Sequence, residues 1–184
     1  MNRAELRQIL IEHRVPVLTW GQGVSKTLEH LLNEINEGES TLVKDGETLV
    51  KKESGVTVTV LYSNGEQSWK LVEEKQVFSD GRERARGYTG SIGEKMRSGE
   101  EPIAAARRAL SEELGFENTD LLISDDCPFE TDHRPILPSQ SYPGLMTRRT
   151  VYEFILNLPG ENYTAEGYQE VQPDKTTYFR WQEI

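Results

Sequence analysis

Gly93-Glu94-Lys95-Met96-Arg97-Ser98-Gly99-Glu100, continued by Arg108-Ala109-Leu110-Ser111-Glu112-Glu113-Leu114-Gly115-Phe116, is the stretch on which the reading of this 184-residue chain turns. It predicts a tight glycine loop feeding a helix over 102–114. Pro102 suits the first helical turn, where its missing N–H leaves no bond unmade. Glu100 and Glu101 fall at the positive end of the helix dipole. Gly115 suits the left-handed position that ends a helix. Ile103, Ala106, Leu110 and Leu114 recur at helical spacing and form the expected buried stripe. Arg108 and Glu112, one turn apart, share another face, with Glu113 one residue round. Two adjacent acids beside an arginine suit a hard divalent cation, because magnesium takes one or two carboxylates and otherwise water and phosphate oxygens. The same residues also suit a solvated acidic face carrying an i,i+4 Arg–Glu pair.

Upstream of this stretch the period of the chain changes twice. Residues 2–13 read as a helix with Leu6, Ile9 and Leu10 on its buried side, ended by Val15-Pro16-Val17. Trp20-Gly21-Gln22-Gly23-Val24-Ser25-Lys26-Thr27 has the look of a phosphate loop but lacks the glycine before the lysine and a leading strand. Ser25 is instead the expected N-cap of a helix over 26–37 carrying Leu28, Leu31, Leu32 and Ile35. From residue 40 the pattern alternates. Thr41–Lys44 and Thr48–Lys51 flank the turn signal Asp45-Gly46. A strand over Val56–Tyr62 returns through Asn64-Gly65 into Trp69–Val72, and Asp80-Gly81 marks a third turn before Arg82, Arg84 and Arg86. Those arginines suit either phosphate contacts or a solvated strand face. The N-terminal helices, residues 1–38, read as an extension and 39–184 as the main domain.

Downstream, Leu121-Leu122-Ile123 reads as a short strand. Residues 125–148, with Pro128, Pro135, Pro138 and Pro143, read as a long irregular connection of the kind that carries function. His133, Arg134, Tyr142 and Arg148 within it form a candidate set for stacking on a base and contacting phosphate. A strand over 151–156, an acidic loop from Glu161 to Asp174 and a closing strand over 177–181 complete the expected order.

Composition narrows the classes. The formal charge of −10 opposes nonspecific attraction to nucleic acid or anionic membrane. The single cysteine, Cys127, excludes an internal disulfide and a cysteine-rich zinc site. No apolar run reaches membrane-spanning length and none near the first residue reads as a signal peptide. A cytoplasmic protein is the expectation.

The stretch from 93 to 116 resembles the Nudix box: a glycine, five residues, Glu, seven residues, then Arg-Glu-aliphatic-x-Glu-Glu-x-Gly-aliphatic. Glu100, Arg108, Leu110, Glu112, Glu113, Gly115 and Phe116 are in register with it. Glu94 stands at the opening glycine, and Ala109 stands where an acid follows the arginine and completes a metal-binding trio. The resemblance covers about residues 73–184 and implies an α/β fold, the Nudix α/β/α sandwich with a mixed sheet. It implies hydrolysis of the diphosphate linkage of a nucleoside diphosphate derivative, with Mg2+ or Mn2+ as cofactor. Glu112, Glu113 and the Gly93 carbonyl are the implied ligands, Glu100 an acid acting through water or a second metal, and Arg108 the residue orienting the helix acids. Lys95, Arg86, His133 and Arg134 are candidate substrate contacts. Glu161, Glu166 and Glu170 are loop candidates for the base, with Glu166 taken into the site. The implied partner is a small nucleotide substrate, with a homodimer as an allowed state. Ala109 keeps open the alternative, a weakened or inactive Nudix-like module that binds a nucleotide or a protein.

Overall fold

The computed structural model describes residues 1–23, 25–85, 91–116, 129–130 and 136–184. The expected strand at 121–123, Cys127, Arg86, His133 and Arg134 lie outside the described residues. The protein is α/β, with a large mixed sheet and three α-helices among the described residues. The helices are α1 (Arg3–Glu12), α2 (Leu28–Asn36) and α3 (Pro102–Leu114). The strands are β1 (Ser40–Asp45), β2 (Thr48–Ser63), β3 (Ser68–Phe78), β4 (Glu83–Arg84), β5 (Ile92–Lys95), β6 (Phe129–Glu130), β7 (Leu137–Pro138), β8 (Met146–Asn157), β9 (Tyr168–Val171) and β10 (Lys175–Glu183). They are hydrogen-bonded in the order β6-β8-β2-β3-β10-β9, with β1 and β5 also on β2, β4 on β3 and β7 on β8. The chain divides into two compact units, 1–55 with 95–100 and 131–151, and 56–94 with 101–130 and 152–184.

In the first unit α1 begins at a capping box. The Asn2 side chain accepts from the Ala4 and Glu5 amides, and Glu5 accepts from the Asn2 amide in return. The second helix is capped by Thr27, not Ser25 as expected. The reason is local: His30 Nδ1 accepts from the Thr27 amide while Thr27 Oγ1 accepts from His30, and Ser25 is used in a turn with Gln22. Leu6, Leu10, Trp20, Leu28, Leu31, Leu49, Tyr142 and Leu145 form its core. The Trp20 indole N–H donates to the Pro143 carbonyl at 2.9 Å, and its ring lies 5.1 Å from that of Tyr142. Tyr142 is therefore core, fully buried, and not available to stack on a base. Arg148 of the same candidate set pairs with Asp45 at 2.7 Å. Gly38, at φ +78, ends the turn after α2 so close to Ser98 that a Cβ would stand 2.8 Å from the serine Cβ.

In the second unit Val56, Val58 and Val60 are buried along β2 while Thr57, Thr59 and Leu61 are half-buried. The two strands expected over 48–51 and 56–62 are one strand of 16 residues. Polar Glu53-Ser54-Gly55 interrupts the apolar alternation without breaking the ladder. Tyr62 faces Trp69 across the Asn64-Gly65 turn, where the Asn64 side chain accepts from the Glu66 and Gln67 amides. Buried Ser91 accepts from the Val60 amide at 2.8 Å and donates to the Leu71 carbonyl at 2.6 Å, which ties β2 to β3 just before β5. The acidic stretch 161–174 holds a strand where a loop was expected: Tyr168 and Val171 of β9 pair with Phe179 and Thr176 of β10. Its two partly apolar ends, Tyr168 and Val171, are too short a signal to stand out in sequence.

Candidate active site

The helix over 102–114 forms with the boundaries that its caps predict. Pro102 opens it, and Gly115 at φ 73 closes it, its N–H donating to the Ser111 carbonyl at 3.0 Å while Phe116 donates to Leu110. Phe116 then meets Tyr168 edge-on at 5.3 Å, which seats the end of the helix against β9. The buried face comprises Ala105, Ala106, Ala109, Leu110 and Leu114, whereas Ile103 is only half-buried. Small alanines let the helix backbone approach its neighbours closely, so the stripe is wider than the leucine spacing suggests.

On the other side of the helix Arg108 lies between two carboxylates. Its Nη1 is 3.3 Å from Glu112 Oε2 and 3.5 Å from Glu94 Oε1. The arginine side chain is 16 % exposed and that of Glu112 is 51 % exposed, so the guanidinium is the anchored member of the set. Glu94, the residue at the box's opening glycine, is thereby drawn to the helix face that carries Glu112. Glu113 is half-buried and Gly93 is exposed on β5.

Ala109 changes the picture that spacing alone suggests. On a turn of 3.6 residues it lies in angle between Glu112 and Glu113, yet its methyl is fully buried. The position that would carry a third acid is closed from water. Among the described residues no group of three or more His, Cys, Asp or Glu side chains is placed to hold a metal ion. What the helix does offer is an adjacent pair of acids, Glu112 exposed and Glu113 half-buried. That donor set fits magnesium, which keeps most of its water and takes its remaining ligands from phosphate oxygens. It does not fit a cage closed by protein.

The other candidates are dispersed. Glu100 belongs to the first unit, where its Oε2 accepts from the Arg97 amide at 2.8 Å and closes the 97–100 turn. Glu166 is exposed and accepts from the Thr164 hydroxyl at 3.3 Å. Arg82 pairs with Asp80 at 2.7 Å, and Arg84 donates to Gln76 at 2.6 Å with both guanidinium groups over Phe78. Lys95 is directed at Glu34 Oε1, 2.8 Å away, and at Glu39 Oε2, 3.3 Å away.

That last pair opens onto a network that the sequence reading missed. Glu34, 5 % exposed, lies at the centre. Its Oε1 accepts from Lys26 at 2.7 Å, from Lys95 and from the Tyr142 hydroxyl at 2.9 Å. Its Oε2 faces Ser40 Oγ at 3.2 Å and buried Lys51 at 3.5 Å. Lys51 also pairs with Glu53, to which Arg149 comes within 3.7 Å. Burial pushes the Glu34 carboxyl up, but hydrogen bonds from Lys26 and Lys95 and the charges of Lys95 and Lys51 outweigh it and hold it down at about 2. Burial and the Glu34 charge together push the Tyr142 phenol up. The signal available in sequence was an acid three residues after Leu31, on the apolar face of α2.

No protein-family model matches the chain, and no curated protein matches it in sequence. Among solved structures it is similar to the Ap4A hydrolase of C. elegans, at 15 % identity over 71 % of this chain and 79 % of that one, TM-score 0.40. It is similar also to a binary complex of that hydrolase, at 14 % identity over 71 % and 79 %, TM-score 0.41. A third is the E. coli dihydroneopterin triphosphate pyrophosphohydrolase, at 17 % identity over 71 % and 80 %, TM-score 0.39.

Proposed function

We propose that this protein is a Nudix-type hydrolase that cleaves the diphosphate linkage of a nucleoside diphosphate derivative with Mg2+ or Mn2+, in the cytoplasm. The observation that carries the reading is Arg108, set between the strand acid Glu94 and the helix acid Glu112 on a stretch that keeps the spacing from Glu100 to Phe116. Glu112, Glu113 and the Gly93 carbonyl would hold the ion. Such an ion, when bound, polarises phosphate oxygens and lowers the pKa of its water. Arg108 holds the Glu112 carboxylate in one orientation and screens its repulsion from Glu94. Glu166, exposed in its loop, is the proposed base, with Glu161 and Glu170 as neighbours in the same stretch. Arg86, His133 and Arg134 are the proposed substrate contacts.

A specific observation favours a second reading, a nucleotide-binding module without turnover: the closed position at Ala109. Two carboxylates supply less negative ligand charge than several metal ions and a polyphosphate draw on.

A panel of sugar nucleotides, ADP-ribose, dinucleotides and nucleoside triphosphates, assayed with magnesium and with manganese for turnover and thermal shift, separates the readings. A hydrolase turns over at least one class, and Glu112→Gln and Glu113→Gln each lower the rate by about tenfold or more. A metal-dependent thermal shift without turnover selects the binder. Neither turnover nor shift anywhere in the panel sinks both.

A further inference from the structure

We propose that Glu34 is the positioning residue of the box loop, acting through Lys95. Residues 95–100 are the loop half of the box, and they pack within the first unit. Contacts with Ser54, Gly38, Glu34 and Glu39 hold them there, and a turn closes them internally. The Met96 amide donates to the Ser54 carbonyl at 2.9 Å and the Met96 side chain is buried. Ser98 rests against Gly38, with no room for a Cβ between them. Glu100 closes the 97–100 turn on the Arg97 amide. Lys95 ends on Glu34 and Glu39.

Among these anchors Glu34 is itself buried and held by several partners. Its two oxygens are shared among Lys26 just ahead of α2, Ser40 of β1, Lys51 of β2, Lys95 of β5 and Tyr142. A buried carboxylate is stable only when its lone pairs are filled in this way, and removing one partner leaves the others buried without compensation. Such a network also selects one arrangement of the groups it joins. The arrangement selected here is that of residues 95–100. The box spacing assigns nothing to residues 1–72, and the anchor gives α2 a part in placing the loop.

A rival assignment makes Lys95 a phosphate contact, and the two predict opposite effects of Glu34→Gln. Releasing a phosphate-binding lysine from a buried acid strengthens anion binding; releasing an anchored loop weakens whatever the loop serves. The functional half of the proposal rests on the hydrolase reading, and the structural half does not, so the experiment reads both. Amide hydrogen exchange is followed in the full chain for wild type, Glu34→Gln, Lys95→Met, the double variant and Lys95→Arg. Protection of the Met96 amide is expected to fall by about tenfold or more in either single variant, with the double variant no worse. The amides pairing β3 with β10 should hold their protection, and Lys95→Arg should restore most of the loss at Met96. In parallel, kcat and KM are measured on the best substrate of the panel. The anchor predicts a fall in kcat for Glu34→Gln at near-constant KM; a lower KM with unchanged kcat overturns it in favour of the phosphate contact. Where Glu34→Gln does not fold, Lys95→Met carries the exchange test. Unchanged protection at Met96 in folded Lys95→Met, or losses that add fully in the double variant, overturns the anchor whether or not the protein hydrolyses anything. Absence of turnover in wild type counts against the hydrolase reading alone, and the Met96 amide still decides the anchor.

Discussion

Ala109 is the residue at which spacing and burial part company. By spacing it belongs with Glu112 and Glu113; by burial it belongs with Ala105, Ala106 and Leu110. Its helix propensity would make Ala109→Glu a mild change, on the order of a few tenths of a kcal/mol. Burial makes it a severe one, because a carboxylate would lose its water with no donor assured in exchange. The expected outcome is a loss of about 3 kcal/mol or more in urea unfolding with chelator present. If the acid completes a cation site, magnesium restores part of that loss and turnover rises. Stability equal to wild type in chelator would show that the position is open to water. Arg108 shows the reverse case. Its pairing with Glu112 is legible from the i,i+4 spacing, but its contact with Glu94 depends on where β5 passes the helix.

At the scale of elements, local punctuation was the reliable guide. Residues 102–114 are helical as predicted, because Pro102 and Gly115 set both ends by backbone geometry that needs no neighbour. The Asp45-Gly46 and Asn64-Gly65 turns form for the same reason. The uninterrupted course of β2 was not legible, since it depends on partner strands that the local pattern does not name; the N-cap of α2 is set locally by Thr27 and His30, two residues beyond the expected Ser25. Gly38 sets the turn after α2 against the 95–100 stretch. Its left-handed backbone disfavours any L side chain, and Ser98 fills the space where a Cβ would lie. Gly38→Ala should therefore cost about 1–3 kcal/mol by thermal or urea unfolding. It should also lower protection of the 95–100 amides ahead of those in β10. Equal stability, or a loss spread evenly over both units, would show that the approach of the two segments is not tight.

At the scale of the whole molecule, acid stability tests the buried network. The folded-state value of Glu34, about 2, lies below its ordinary 4.5. The folded protein therefore binds this proton less readily than the unfolded chain does. Stability from this group is fully present above pH 4.5 and is lost as pH falls from there through about 2. Wild type should lose on the order of 3 kcal/mol over that window through this one group. Glu34→Gln should start lower at neutral pH and show a shallower decline, measured by urea unfolding at several pH values. Parallel declines would mean that the lysines do not hold the carboxyl ionised. The charge of −10 adds general repulsion at neutral pH, which falls as other acids protonate, so the comparison between the two proteins isolates Glu34. No described helix is long and apolar enough to cross a membrane.

Sequence alone determined the helix over 102–114 and its two ends, the alternating strands that follow residue 40, and the register of Glu100, Arg108, Glu112 and Glu113, whereas the stretch expected to open as a loop at Gly93 begins as β5. These rest on periodicity, capping and turn chemistry, all of which act between residues a few positions apart. Only the tertiary structure decided that Ala109 is enclosed, that Tyr142 is core, and that Lys95 is bound to Glu34. Each of those depends on groups brought together from distant parts of the chain: Lys95 and Glu34 are 61 positions apart by their numbers (95 less 34), and Tyr142 reaches the same carboxylate across 108. Burial and pairing at such separations follow from how the strands and helices pack, and a local pattern carries no record of that.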